Sequence, residues 1–285
     1  MTEASTWTVN DVRDRWPAPQ AGDDKYSRGV VGVVAGSDAY PGAAALVVSG
    51  AARAGVGMVR YVGPRRAQDL VLAHRPETVV HGSPDAAELL PQAQAWIVGP
   101  GVRDFPEQDT VIGAVMASGM AMVVDAGALE SVAQARAAGS RDATPDRVLF
   151  TPHADELMRT LGALRHDVTR ADIERDRAGH ARLLAETARV TVLLKGSVTV
   201  ISSPGGATVW LPEAPAWLAT AGSGDVLAGI AGALLAAGLG AAEAGACAAW
   251  IHGRAAEIAS AGGPIAALDI ADAVPAAVAD AIAGR

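Results

Sequence analysis

The chain has 285 residues, half of them hydrophobic (50%), with 19% charged and a formal charge of −8 at neutral pH. That content supports a sizeable buried core and excludes a disordered tail. The balance of 31 acidic to 23 basic side chains argues against gripping nucleic acid or an anionic membrane through the surface. The single cysteine, Cys247, excludes an internal disulfide, and no Cys/His zinc pattern is present.

Taken in chain order, residues 1–20 carry Asp11 and Asp14 and lack the apolar stretch of a signal peptide. A strand is expected at 30–35 and a helix at 43–54, then strands at 58–62 and 96–98, a helix at 111–118, and strands at 121–124 and 148–150. The polar segment 139–146 reads as a surface loop. Helices are expected at 155–161 and 171–187, the second entered through Thr169 with Asp172 three residues on, a variant capping box. Three strands follow at 190–194, 198–202 and 208–211, too close together for helices between them, and read as an antiparallel addition at one sheet edge. Helices at 226–237 and 241–260 end this series. The uncharged run 226–242 is broken by glycines, so it reads as a buried helix, a turn and the next helix rather than the ~20 apolar residues of a membrane span. Strands apolar on both faces, separated by helices, imply an α/β fold with a mostly parallel sheet covered on both sides, in one domain.

Open parallel sheets bind ligands beyond the carboxyl ends of their strands. There this chain repeatedly places small or polar residues: Gly36-Ser37 with Pro41-Gly42-Ala43, Gly99-Pro100-Gly101, Asp125, Thr151-Pro152-His153 and Lys195-Gly196. Each is an ordinary turn by itself; together they outline one crevice. The sharpest segment is Ala219-Thr220-Ala221-Gly222-Ser223-Gly224-Asp225, leading into an apolar helix. Glycines at a helix start can turn free N–H groups towards one point, where the helix dipole also favours an anion. That suits a phosphoryl group in transfer, with Asp225 taking a proton from an attacking hydroxyl. The competing reading is a structural turn with Asp225 as a helix-start residue. Neither a P-loop, a dinucleotide fingerprint nor a Gly-x-Ser-x-Gly elbow is present.

Eight segments in order resemble the ADP/ATP-dependent NAD(P)H-hydrate dehydratase family of the ribokinase-like superfamily. They are Lys25-Tyr26-Ser27-Arg28-Gly29, Gly36-Ser37 with Pro41-Gly42-Ala43, Arg53-Ala54-Gly55-Val56-Gly57, Gly99-Pro100-Gly101, Asp125-Ala126-Gly127-Ala128-Leu129, Thr151-Pro152-His153 with Glu156, Lys195-Gly196, and 218–227. The resemblance implies a ribokinase-like three-layer αβα sandwich. It also implies an enzyme that phosphorylates the hydroxyl of the S-epimer of hydrated NADH or NADPH at the expense of ADP or ATP, then eliminates phosphate to restore the ring. By motif position, Asp225 resembles the base, with Gly222, Ser223 and Gly224 as the anion hole. Ala43, Gly101 and His153 resemble further contacts to the hydrate. Lys195, Gly196, Ser197, Val198, Thr199 and Gly224 resemble contacts to the adenine nucleotide. Mg²⁺ is expected with the nucleotide; Ala/Gly-rich helices together with the resemblance point to a homo-oligomer, a tetramer, and without a signal-peptide or membrane-spanning stretch a cytoplasmic protein is expected.

The chain departs from the family pattern in two places. An Asn-rich segment before Leu218 is replaced by Pro212-Glu213-Ala214-Pro215-Ala216-Trp217, where Trp217 is expected to fill the region. The second carboxylate of Asp-Ala-Asp-Ala-Leu is lost at Gly127. About 25 residues precede the first motif, too few for the N-terminal epimerase domain of many relatives; a single domain over 1–285 with an extension at 1–24 is expected. Asp125 stays open between substrate contact and turn former. His74, His81, His166, His180 and His252 are expected mostly at the surface or the core edge. The alternatives are a kinase of the same superfamily acting on a vitamin-precursor hydroxyl, and a nucleotide-binding protein without turnover.

Overall fold

The computed structural model describes residues 5–82, 90, 92–103, 106–139 and 144–285. Its strands are β1 (Ser5–Thr6), β2 (Val30–Val34), β3 (Met58–Val62), β4 (Val79–His81), β5 (Ala95–Val98), β6 (Ala121–Val124), β7 (Val148–Phe150), β8 (Thr191–Leu194), β9 (Val200–Ser202) and β10 (Thr208–Trp210). They form one sheet in the order β1-β10-β9-β8-β7-β6-β5-β2-β3-β4. Every pairing from β4 to β8 is parallel, and β9 runs antiparallel to both β8 and β10.

The helices are α1 (Val9–Arg15), α2 (Gly42–Arg53), α3 (Arg65–His74), α4 (Pro106–Ser118), α5 (Leu129–Ala138), α6 (Ala154–Ala163), α7 (Arg170–Arg175), α8 (Arg177–Ala188), α9 (Ser223–Ala236), α10 (Ala241–Ser260) and α11 (Ala267–Ile282). Alternation along the strands splits the core in two. Val31, Val33 and Ile97 face one layer with α2, α9, α10 and α11. Val30, Val34, Trp96 and Val98 face the other, with α4, α5, α6 and α8. Apolar residues on both faces of a strand have no stable solution but helices on both sides, hence three layers.

Helices α2 and α9 meet almost backbone to backbone. A Cβ on Gly50 would lie 2.4 Å from the Val226 carbonyl oxygen, and one on Gly229 would lie 2.3 Å from that of Val47. This close approach fixes where α9 begins, and with it the Gly222–Asp225 turn.

Several boundaries differ from those expected. The helix foreseen at 171–187 is two helices, because Asp176 leaves the helical region (φ −139, ψ 74) and caps α8 by accepting from the Gly179 amide. The capping box of Thr169 and Asp172 is present at the start of α7. The antiparallel addition is present at this edge as expected, and β1 extends it by pairing parallel with β10. Part of the N-terminal extension thus belongs to the fold, with Val12 and Trp16 buried in the main core. Helices α1, α3, α5 and α11 and strands β1 and β4 had not been anticipated. Of the loop expected at 139–146, residues 140–143 lie outside the described residues, and Pro145–Arg147 form a 3₁₀ turn. No helix among the described residues is long and apolar enough to cross a membrane.

Candidate active site

Strand order reverses at β2, which lies between β3 and β5, and in open α/β sheets such a switch point leaves a crevice at the carboxyl ends. Gly36 follows β2 with φ +74 and donates its amide to the Pro100 carbonyl at 2.7 Å, tying the two loops that flank the switch. A cavity of about 880 Å³ opens further along the same edge, between the ends of β6, β7 and β8, the start of α9 and the second half of α10.

Its wall is built around one lysine. Lys195 leaves β8 with its Nζ 2.8 Å from Asp125 Oδ1 at the end of β6 and 3.6 Å from Glu156 Oε2 in the first turn of α6. Thr151 Oγ1 donates to the same Asp125 oxygen at 2.8 Å. Burial alone would pull the ammonium down, but Asp125 and Glu156 hold the Lys195 pKa above its ordinary value. Glu156 is placed by a capping box: it accepts from the His153 amide at 2.8 Å, while His153 Nδ1 accepts from the amides of Asp155 and Glu156. His153 is therefore an acceptor at a helix start, with Nε2 3.5 Å from Glu156 Oε1.

Opposite the lysine, Gly222 takes φ +86 and starts α9. In this turn the Ser223 amide donates to the Thr220 carbonyl and the Asp225 amide to the Gly222 carbonyl. The N–H groups of Gly222 and Gly224 find no carbonyl partner, so they remain to serve a ligand at the positive end of the helix. A Cβ on Gly224 would lie 3.2 Å from Lys195 Nζ, which puts the ammonium beside this turn. Asp225 projects from the first turn. Burial first, then the charge of Asp125, pushes its carboxyl up to about 7 against the pull of Lys195, with Glu156 adding to the rise. A carboxyl poised there can accept a proton near neutral pH.

The cavity wall contains Asp225, Gly222, Ser223, Gly224, His153, Lys195, Gly196, Ser197 and Thr199. Val198 lies in the same loop but outside that wall. The loop is tied to the segment that follows β10 by Leu211 N to Thr199 O (3.0 Å) and Ala214 N to Ser197 O (3.1 Å). A Cβ on Gly196 would lie 2.4 Å from Arg177 Nη2, so a side chain there would displace the end of that arginine. Ala43 and Gly101 also lie outside the wall, in contact with each other across the switch point: a Cβ on Gly101 (φ +64) would lie 2.5 Å from that of Ala43. Ala43 shares a helix face with Leu46, whose Cδ1 crowds Gly222, so this pair stands beside the anion-binding turn.

Three placements differ from the sequence reading. Asp125, left open before, is 2% exposed and paired with Lys195, so its carboxylate holds the lysine rather than capping the turn it begins. Trp217 does not fill the region of the missing asparagines; it is 48% exposed and donates from Nε1 to the Gly262 carbonyl at 3.3 Å. His252 is not at the core edge but is buried in the cavity wall. Nothing in the alanine-rich sequence around His252 marks it, whereas Asp125 at a strand end was a visible signal.

No group of three metal-ligating side chains occurs among the described residues. Magnesium is ordinarily held by one or two carboxylates together with substrate phosphates. A magnesium ion therefore fits here as a companion of phosphate, with Glu156 Oε1, which lies 3.5 Å from His153 Nε2, as a carboxylate oxygen that could hold it.

Comparison with known proteins agrees with this geometry. The family model for NAD(P)H-hydrate dehydratase matches residues 31–275. The bifunctional NAD(P)H-hydrate repair enzyme Nnr of Mycobacterium leprae is 44% identical over 258 residues, covering 88% of this chain and 50% of that protein. The ADP-dependent (S)-NAD(P)H-hydrate dehydratase of Neisseria meningitidis is 34% identical over 243 residues, covering 82% of this chain and 78% of that one. The chain spans about half the length of the bifunctional relatives it matches. The Bacillus subtilis ADP/ATP-dependent NAD(P)H-hydrate dehydratase, co-crystallized with ATP and Mg²⁺, superposes with a TM-score of 0.86 at 27% identity, covering 97% of this chain and 98% of that one. A hydroxyethylthiazole kinase from Pyrococcus horikoshii shares the fold alone, at 15% identity and a TM-score of 0.60. With the family model spanning most of the fold and relatives this similar, the chain belongs to the NAD(P)H-hydrate dehydratase family.

Proposed function

We propose that this protein uses ADP or ATP to dehydrate the S-epimer of hydrated NADH or NADPH back to the reduced cofactor. The observation that carries this reading is the convergence of the unpartnered Gly222 and Gly224 amides, the Lys195 ammonium and the Asp225 carboxyl on one cavity wall. A hydroxyl on a saturated ring carbon leaves poorly, and its phosphate ester leaves well.

Asp225 takes the hydroxyl proton as that oxygen attacks the terminal phosphoryl group, and the bond from phosphorus to the nucleoside phosphate breaks. The Gly222 and Gly224 amides and Lys195 stabilise the charge on the migrating group. The ring carbon–oxygen bond then breaks, phosphate departs, and a proton lost from the neighbouring ring carbon restores the double bond. Lys195 and the loop through Gly196, Ser197, Val198 and Thr199 hold the nucleotide; Ala43, Gly101 and His153 line the approach of the hydrate. Bound with the nucleotide, magnesium would offset charge on its phosphate oxygens, with Glu156 as a protein carboxylate that could help hold it.

The test is incubation with hydrated NADH, Mg²⁺ and either nucleotide. Recovery of reduced-cofactor absorbance with at least one nucleotide is the expected result, and none with either removes the reading. The superfamily kinase alternative predicts instead a stable phosphate ester of another alcohol; the likeness to the thiazole kinase concerns the fold and lends that alternative no weight. We also propose a homo-oligomer, a tetramer, supported by exposed Tyr26, Tyr40 and Ile282; light scattering at one-subunit mass would contradict it.

A further inference from the structure

Arg177 is the first residue of α8 and stands outside the cavity wall. A cation at a helix start meets the positive end of the dipole, so nothing in α8 itself favours an arginine there. Its side chain is nonetheless only 15% exposed, and its hydrogen bonds all lead away from its own helix. Nη1 donates to Glu174 Oε2 at 2.9 Å, and Nη2 donates to the Lys195 carbonyl at 2.8 Å, with the Leu194 carbonyl at 3.5 Å. A guanidinium suits this place because its planar fork serves a carboxylate and a carbonyl at once. No other group among the described residues donates to the Lys195 oxygen.

The Lys195 carbonyl and the Gly196 N–H belong to one planar peptide unit and point in opposite directions. With the oxygen turned to Arg177, outside the wall, the N–H turns towards the cavity that Gly196 lines. It finds no protein acceptor there, so it is left for a ligand. The ammonium of Lys195 on the same wall favours an anionic oxygen as that acceptor. Glycine at 196 is needed for this arrangement, because a Cβ would lie 2.4 Å from Arg177 Nη2 and push the guanidinium off its carbonyl. We propose that Arg177 is a positioning residue: by holding the Lys195 carbonyl from behind the wall, it aims the Gly196 amide at a phosphate oxygen of the nucleotide.

This rests on the reading of the 195–199 loop as a nucleotide site, so the test measures ADP binding separately from turnover. Arg177→Met, Gly196→Ala and the double variant are compared with the wild type. The quantities are the Kd for ADP with Mg²⁺, kcat, the KM for hydrated NADH and the melting temperature. Losing one aimed hydrogen bond to an anion should weaken ADP binding about 10-fold. A contact kept from ground state to transition state shows in binding and not in kcat. The expected result is therefore that loss in each single variant, with kcat and the hydrate KM nearly unchanged. The double variant should bind ADP no more weakly than Arg177→Met, since Gly196→Ala acts only by displacing the arginine. An unchanged Kd in folded Arg177→Met overturns the assignment. Losses in all three constants that track melting temperature overturn it too, as do single losses that multiply in the double variant. Should Arg177→Met not fold, Gly196→Ala decides: weakened ADP binding alone supports the role, and an unchanged Kd overturns it. Wild type that binds no ADP overturns the assignment and the functional reading together. Wild type that binds ADP with this dependence yet restores no NADH removes the dehydratase reading and supports the role of Arg177.

Discussion

At the scale of residues, Asp225 carries the heaviest prediction because it is costly to the fold. Its ordinary carboxyl value of 3.8 rises to about 7 in the native state through burial and the charge of Asp125. A group raised on folding binds its proton more tightly when folded, so it lowers stability as pH climbs from about 4 through 7. Asp225→Asn should therefore raise the melting temperature at pH 8 and leave it nearly unchanged at pH 4, while cutting turnover by roughly 1,000-fold, the scale of a lost general base. Equal stability at both pH values, or near-normal turnover, would contradict the assignment.

Lys195 is the counterpart. Its charge lowers the Asp225 carboxyl, so Lys195→Met should move the acidic limb of the kcat/KM profile to higher pH and raise the nucleotide KM. It also leaves Asp125 and Glu156 facing each other unpaired, a loss of roughly 3 kcal/mol in unfolding free energy. An unmoved limb and an unchanged KM would show the lysine to be structural only.

At the scale of elements, the contact of α2 with α9 decides where the anion-binding turn stands. Gly50→Ala would drive a methyl to 2.4 Å from the Val226 carbonyl, so one helix must shift. Overpacking of this kind costs about 1–3 kcal/mol, read from denaturant unfolding, and the shift should lower kcat although Gly50 touches no ligand. A destabilised variant with wild-type kcat would show that the turn is placed independently of this contact.

The same scale shows what a reader of the sequence could and could not see. Strands β2, β5, β6, β7 and β8 were legible because each is apolar on both faces and ends in a glycine, threonine, aspartate or lysine. The helix start at Gly222 was legible from its glycines and the Asp. Helix α11 was hidden by Pro275 within it. Strand β4 was hidden because it is a short, partly exposed edge. The break at Asp176 was hidden because the apolar period runs on through it, and only the side chain's bond to the Gly179 amide ends one helix and begins the next. Within the site, long-range partners were the part out of reach: Asp125 and Lys195 are 70 residues apart, and no local pattern pairs them.

At the scale of the whole molecule, the proposed reaction brings two anionic substrates to a chain of net charge −8, so the cavity must supply its own positive potential. It does so through one ammonium and a helix start, held opposite each other by strands β6 to β8 on one side and the α2–α9 contact on the other. The central claim is that this arrangement transfers a phosphoryl group to a hydroxyl and then expels it. The most direct measurement is the stoichiometry of a single reaction: hydrated NADH with limiting nucleotide, following inorganic phosphate, the shortened nucleotide and restored NADH together. Equal amounts of all three, and none above background with Asp225→Asn, is the predicted result. Nucleotide consumed without restored NADH, or restoration that proceeds equally in Asp225→Asn, would contradict it.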